Sequence, residues 1–184
     1  GHLNQARDVR RANAMLTFRT PTGGAFDGVA LNVEATKLRN AAVRSQRAVA
    51  LARSLRSAAG ATPVAIVPID PRALARRPAR WPRFPYAALA EQADAFAPMV
   101  YTGSSFRGFE ATYGYVTRSL RLLRVRTASP ELPIHVAGGV ADRMGSDELA
   151  GFVAAVEDDG ATIGVNLYDW QTTTSRAWRA LSRL

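Results

Sequence analysis

The sequence predicts an α/β fold in which parallel strands are each followed by a helix. Five short runs rich in Val, Ile and Ala alternate with Ala/Leu/Arg segments of helical character. The runs lack strict alternation of apolar and polar residues, which is typical of parallel strands covered on both faces. Their carboxyl ends follow one another at intervals of 31 to 37 residues, the size of one strand-helix unit. We therefore expect a repeating βα chain.

The predicted elements follow the chain in a regular order. We place strands at 27–34, 63–70, 95–103, 133–140 and 161–170, and helices at 37–59, 86–93, 109–128 and 146–158. A helix-like segment at 3–14 and a short strand at 15–20 precede them. The last helix has the clearest signals, because Ser146 suits its N-cap and Gly160 ends it. The Pro/Arg-rich stretch 71–85 is predicted to be a long connection.

The repeat favours a (β/α) barrel of TIM type over a nucleotide-binding open sheet. No Gly-rich dinucleotide fingerprint follows any of the strands. A complete barrel has eight units and about 250 residues, whereas this chain has 184 residues and five to six units. We predict a single domain, residues 3–184, that is the C-terminal part of such a barrel; an open sheet that closes by association is the alternative. The open edge favours self-association unless something covers it.

Composition excludes several classes of function. The absence of Cys rules out disulfides and thiolate metal or redox sites. No apolar run approaches the roughly 20 residues of a membrane-spanning helix. The net charge is +9, and all basic side chains except Lys37 are arginines. These are scattered along helical segments without interleaved aromatic residues, so we expect solvated helix faces and no specific nucleic-acid binding. Residues 1–2, Gly-His, are interpreted as the remnant of a tag.

Polar and aromatic residues collect at the carboxyl ends of the predicted strands, where β/α barrels build their active sites. They are Asn32, Glu34, Asp70, Met99, Tyr101, Asn166, Tyr168, Asp169 and Trp170. Aromatic rings stack on the apolar faces of sugars, carboxylates and amides bind hydroxyl groups, and a strand-end Glu can protonate a glycosidic oxygen. The spacing of metal ligands and a nucleophile elbow are absent from the sequence. We therefore predict a saccharide site with Glu34 as general acid, and neither cofactor nor metal.

Several of these assignments have a structural alternative. Glu34 can instead cap the following helix, and Asn32 can bond within the barrel. Trp81, together with the other aromatic residues of the connection 71–85, either lines a ligand or pins that connection to the barrel. His135 lies between two apolar residues, which favours a hydrogen-bonded core histidine.

Three strand ends resemble motifs of the family-18 chitinase-like glycoside hydrolases. "DGVALNVE" (27–34) resembles the family's D-G-x-D-x-D-x-E strand, "MVYT" (99–102) is similar to its Met-x-Tyr-Asp, and "GVNLYDW" (164–170) to its final strand. The resemblance implies that Glu34 is the catalytic acid, Tyr101 a hydrogen-bonding partner and Trp170 a platform beneath the sugar.

The sequence departs from the family at three acidic positions. Ala30, Asn32 and Thr102 stand where the family has Asp, and substrate-assisted attack by an N-acetyl group depends on those carboxylates. The pattern therefore fits better a distant glycosidase of the kind encoded in actinobacterial genomes, with Asp70 or Asp169 as second carboxylate. This resemblance implies a polysaccharide or oligosaccharide partner and a location outside the cell or in its envelope.

Two other functions fit parts of the sequence. A carbohydrate-binding or scaffold barrel without catalysis is favoured by Ala30 and Asn32. A sugar-phosphate enzyme is favoured by Gly138–Gly139, because glycines after a late barrel strand can expose backbone N–H groups to phosphate. The last strand ends in "LYDWQTT", which is bulky and acidic where a phosphate loop has Gly and Ser.

Overall fold

The computed structural model of the protein describes Leu3 and residues 6–103, 105–169 and 171–182. The described residues form five strands and seven α-helices in alternating order, which confirms the α/β class. The strands are β1 (Val29–Val33), β2 (Val64–Pro68), β3 (Ala95–Phe96), β4 (Ile134–Val140) and β5 (Thr162–Tyr168). The helices are α1 (Ala6–Thr17), α2 (Ala41–Ala59), α3 (Pro71–Arg76), α4 (Tyr86–Ala90), α5 (Phe109–Thr127), α6 (Ser146–Asp159) and α7 (Ser175–Leu181). None of the helices in this part of the chain is both long enough and apolar enough to cross a bilayer.

All five strands are parallel and lie in the order of the chain, β1-β2-β3-β4-β5. Each strand therefore pairs with the next one along the sequence. Because connections between parallel strands are right-handed, a sequential order places the connecting helices on the same side of the sheet.

The two faces of the sheet differ in burial. The side covered by helices is fully buried at five positions, Val33, Ile66, Phe96, Ile134 and Val136. We call the opposite side the open face; it carries the alternate residues Ala30, Asn32, Val67, His135, Ala137, Gly164, Asn166 and Tyr168, which are exposed or half-buried. The expectation that both faces are covered is therefore wrong for the described residues, because β1 alternates strictly between buried and exposed positions.

Helix ends follow local capping rules, and the structure differs from the sequence prediction at three places. The side chain of Asn40 accepts a hydrogen bond from Val43 N and begins α2. At α6 the N-cap is Gly145 and Ser146 is the first helical residue. The strand predicted at 15–20 is wrong: α1 continues to Thr17, since Val9, Ala12, Met15 and Leu16 pack against the core with helical spacing. The connection 71–85, predicted as a loop, contains α3 and a 3-10 turn at Pro78–Arg80.

The third strand is shorter than predicted because Pro98 has no N–H group to donate to a neighbouring strand. Beyond β3 the chain still runs along β4: Val100 N donates to Ala137 O at 2.8 Å, and Ala137 N donates to Pro98 O at 3.1 Å. Further along, Val140 N donates to Thr102 O at 3.3 Å. Residues 98–102 thus follow β4 as an irregular strand, and Gly139 is the residue that permits this approach, because a Cβ there would collide with the backbone of Thr102.

We predict that Gly139→Ala lowers the free energy of unfolding by about 1–3 kcal/mol, because the added methyl group forces two backbones apart. The matched control is Gly114→Ala within α5, where a Cβ meets nothing within 4 Å; there alanine should raise stability by about 0.5–1 kcal/mol through its better helix propensity. Urea denaturation of both variants measures the difference. Equal effects of the two substitutions would contradict the close approach at Gly139.

Candidate functional site

The register of the sheet brings the polar residues of the open face to similar heights. Asn32 pairs with Val67 of β2. Met99 forms a parallel bridge to Ala137, and Ala137 pairs with Asn166 of β5. Met99 and Asn166 therefore flank Ala137 on neighbouring segments, which gives this end of the open face a floor made from three parts of the chain.

Glu34 lies directly beyond β1 and continues its alternation onto the open face. The side chain is exposed, and its Oε1 accepts a hydrogen bond from Asn32 Nδ2 at 3.1 Å. Since the amide group donates through nitrogen, Asn32 Oδ1 remains as an acceptor for a ligand. Glu34 does not cap the following helix, because Asn40 performs that function. Both residues are thus placed to meet a molecule on the open face.

Tyr101 lies near Glu34 on the open face, and Tyr168 lies beside Tyr101. Burial of Tyr101, followed by the negative charge of Glu34 and the nearby Tyr168, raises the pKa of its phenol. The ring centroids of Tyr101 and Tyr168 are 6.3 Å apart with an interplanar angle of 49°. They are 41% and 56% exposed, so each presents part of its surface to solvent. This combination of apolar ring and polar tip suits the contacts that sugars make.

Sequence reasoning did not select His135 as a functional residue. It is half-buried on the open face, and its Nε2 lies 3.1 Å from Asn166 Oδ1. Gly164, which pairs with His135, leaves room for the imidazole, since a Cβ there would lie 2.9 Å from His135 Nδ1. The signal in the sequence was positional: in β4, residues 135, 137 and 139 share the face opposite Ile134 and Val136.

Asp70 belongs to the other side of the sheet. It is 5% exposed, with Oδ1 accepting from Arg72 N and Oδ2 from Ala73 N, both at 3.1 Å. Oδ2 also accepts a hydrogen bond from Tyr115 OH at 2.9 Å. Burial, together with the charge of Asp70, raises the pKa of Tyr115. Asp70 therefore caps α3 and fixes α5, and it is not brought together with Glu34 on the open face.

The carboxylate of Asp169 is engaged in a turn after β5. Its Oδ1 accepts from Thr172 N at 3.1 Å and from Thr172 Oγ1 at 3.2 Å, and its carbonyl accepts from Thr173 N at 3.0 Å. The peptide bond between Tyr168 and Asp169 is cis. The predicted sugar platform, Trp170, lies outside the described residues. In the described part of this segment, the carboxylate of Asp169 therefore stabilises the turn.

Trp81 lies within the packing between the connection 71–85 and α2. It is 1% exposed, and its Nε1 donates to Ser45 Oγ at 2.9 Å. The Phe84 ring lies edge-on at 4.8 Å, and Tyr86 OH donates to Ile69 O at 2.7 Å. Of the two alternatives for these aromatic residues, the contacts favour the second, in which they pin the connection, and Trp81 itself is almost wholly covered.

Neighbouring groups fill the space around Gly138 and Gly139, the glycines of the sugar-phosphate alternative. Gly138 and Gly139 lie within β4, and a Cβ on Gly138 would lie 2.6 Å from the Phe152 ring. At the beginning of α6, Glu148 accepts a hydrogen bond from Gly108 N at 3.0 Å, which lowers the pKa of its carboxyl group. A negative side chain thus already occupies the place where a phosphate would gain from the helix dipole.

The described residues contain no group of three or more His, Asp or Glu side chains that could hold a metal ion. No protein-family model matches the chain, and no curated protein matches it significantly. The site must therefore be interpreted from its own chemistry.

We predict that Tyr115→Phe lowers the free energy of unfolding by about 1.5–3 kcal/mol, because the buried carboxylate of Asp70 loses a hydrogen-bond donor. Tyr113→Phe is the matched control on the same helix, since Tyr113 OH bonds Asp158 at an exposed position and should cost less. Thermal and urea unfolding compare the two variants. A smaller loss for Tyr115→Phe than for Tyr113→Phe would contradict the structural assignment of Asp70.

We predict that Glu34→Gln lowers the pKa of Tyr101 toward the usual tyrosine value, because a neighbouring negative charge is removed while burial is kept. The measurement is a ¹³C NMR titration of labelled tyrosine ring carbons, with the five tyrosine signals assigned by single Tyr→Phe variants. Glu91→Gln, at an exposed position in the cap of α4, should leave the pKa of Tyr101 unchanged. An unchanged pKa of Tyr101 in Glu34→Gln would show that the two groups do not interact in solution.

Proposed function

We propose that the sheet is part of a (β/α) barrel and that the open face is the inner side of that barrel. The sequential strand order supports this, because a doubly wound sheet reverses its order at a switch point and covers both faces with helices. Here successive strands neighbour one another throughout the described sheet, and only one face is covered. Strands that complete the barrel would pair with the outer edges of β1 and β5.

We propose further that this face binds a saccharide and that Glu34 is the general acid of a glycoside hydrolase-like site. The observation that carries the proposal is the exposed carboxylate of Glu34 at the carboxyl end of β1, bonded to Asn32 and close enough to Tyr101 to raise its pKa. Active sites of β/α barrels lie at this end of the strands. The resemblance of residues 27–34 to the catalytic strand of family-18 chitinase-like enzymes supports the same role.

In this proposal each residue has a distinct task. Tyr101 and Tyr168 hold the sugar through ring contacts and hydroxyl groups, while Asn32 Oδ1 and Asn166 accept or donate hydrogen bonds to its substituents. Protonated Glu34 transfers its proton to the glycosidic oxygen as the bond from that oxygen to the anomeric carbon breaks. Glu34 is the one carboxylate on the described part of the open face. The second group of a two-carboxylate mechanism is therefore lacking there, so a water molecule would have to form the new bond to the anomeric carbon and release its proton to solvent.

A second candidate function is saccharide binding without hydrolysis, and one observation favours it. Asn32 holds one oxygen of Glu34 through its amide nitrogen, and unlike an aspartate it brings no negative charge to the reacting centre. Asp70 and Asp169, the predicted second carboxylates, are engaged in a helix cap and a turn. Such a site keeps the recognition chemistry and lacks the charge that stabilises a cationic transition state.

We predict that the protein binds at least one oligosaccharide of a panel containing chitotetraose, cellotetraose, xylotetraose and maltotetraose, and that Glu34→Gln reduces its hydrolysis about 10²–10⁴-fold, as expected for loss of a general acid. Calorimetry measures binding, and chromatography of the products measures cleavage. Glu91→Gln is the control and should match the unmodified protein.

The outcomes separate the candidates. Cleavage at the same rate in Glu34→Gln would remove Glu34 from the mechanism. Binding by the unmodified protein with no cleavage would favour the second candidate, and a lack of binding to all four oligosaccharides and to their parent polysaccharides would contradict a saccharide site.

A further inference from the structure

A buried arginine connects the segment that carries Glu34 to the connection after β2. Arg44 lies in the first turns of α2 and is 3% exposed. Its Nη1 donates to Thr36 O and to Leu38 O, both at 3.2 Å, and its Nη2 donates to Arg80 O at 2.8 Å. One guanidinium group thus binds three backbone carbonyls from two segments that are remote in sequence.

Trp81 holds this guanidinium in place from the other side. The Cζ atom of Arg44 lies 4.2 Å from the centroid of the Trp81 ring, within the range of a cation–π contact. The indole Nε1 of the same ring donates to Ser45 Oγ, on the residue next to Arg44. Burial lowers the pKa of Arg44, so the charge is retained at an energetic cost that the carbonyls and the ring offset in part, since Arg44 Nε is buried without a hydrogen-bond partner.

The carbonyls that Arg44 binds lie close to Glu34 along the chain. β1 ends at Val33 and α2 begins at Ala41, so residues 34–40 cross between them without regular structure. The first end of this segment is fixed by the sheet, and the last by the cap at Asn40. Between these two ends, the bonds from Arg44 to Thr36 and Leu38 set the path of the backbone.

We propose that Arg44, supported by Trp81, is a positioning residue that holds Glu34 against Asn32 and beside Tyr101. The part of the inference that concerns an acid catalyst rests on the proposed function, whereas the placement of Glu34 does not. Trp81 then affects the site without touching a ligand, through the guanidinium that it supports.

The pKa of Tyr101 reports the position of Glu34. The direction in which this pKa changes separates two effects of replacing Arg44. If Glu34 moves away, the pKa of Tyr101 falls, because the negative charge of Glu34 contributes to raising it. If only the positive charge of Arg44 is lost, the pKa of Tyr101 rises or stays unchanged, since a nearby cation favours the ionised phenol. A fall therefore indicates displacement of Glu34.

The test is the ¹³C NMR titration of Tyr101 in the full chain for Arg44→Gln and Arg44→Lys, with Glu34→Gln as reference and Arg53→Gln as control. Arg53 lies on the same helix and is exposed. We expect Arg44→Gln to lower the pKa of Tyr101 to the value found in Glu34→Gln, and Arg53→Gln to leave it unchanged. Arg44→Lys should give an intermediate value, because an ammonium group cannot reproduce the planar fork that serves three carbonyls.

A milder variant keeps the test informative if Arg44→Gln fails to fold. Trp81→Phe keeps a ring beneath the guanidinium and removes the hydrogen bond to Ser45, so it should lower the pKa of Tyr101 by a smaller amount. Folding of each variant is checked by circular dichroism. In a folded Arg44 variant, an unchanged or raised pKa of Tyr101 would overturn the proposal.

Failure of the proposed function gives a different result. If the unmodified protein binds none of the oligosaccharides but Arg44→Gln still lowers the pKa of Tyr101, the positioning role stands and the saccharide site does not. If the protein cleaves an oligosaccharide, we expect Arg44→Gln to lower kcat more than it raises KM, because misplacing an acid affects the chemical step most.

Discussion

The strict alternation of side chains along β1 is the constraint on which the rest of the structure depends. Leu31 and Val33 enter the core beneath the helices, and this fixes Asn32 and Glu34 on the opposite side. A slip of one residue would bury the carboxylate of Glu34 and expose the apolar side chains of Val29, Leu31 and Val33, so the hydrophobic effect itself specifies the register. Burial of the apolar side chains of β1 thus determines that Asn32 and Glu34 face the solvent.

The same alternation sorts the acidic residues of the strand ends into two kinds. Asp70 continues the buried series of β2, and its carboxylate therefore meets the helix layer, where backbone N–H groups and Tyr115 stabilise it. Glu34 continues the exposed series of β1. Glu34 is the first residue after β1, whereas Asp70 is the second residue after β2. This difference of one position places Asp70 in a helix cap and Glu34 where a ligand can reach it.

Much of this could be predicted from the sequence, and the failures have physical causes. The α/β class and the strand positions follow from apolar runs and their spacing, since these report local burial. The sequence also predicts the side of the sheet on which Asp70 lies, because residues 64, 66 and 70 fall on the same face of an extended strand. The role of Trp81 could not be predicted, since its partner Ser45 lies 36 residues away and no local pattern encodes such a contact. His135 was assigned to the core because its neighbours are apolar, although those neighbours face the helices.

The position of Glu34 just outside β1 explains why the charged residue Arg44 is buried in the otherwise apolar packing around α2. Hydrogen bonds of the sheet fix Asn32, but they end at Val33, so the backbone that carries Glu34 needs another restraint. An apolar side chain in place of Arg44 could fill the same volume, and replacing buried charges in this way is often neutral for stability. It could not bind the carbonyls of the irregular segment that follows. The buried guanidinium is therefore better understood as a means of fixing geometry than as a source of stability.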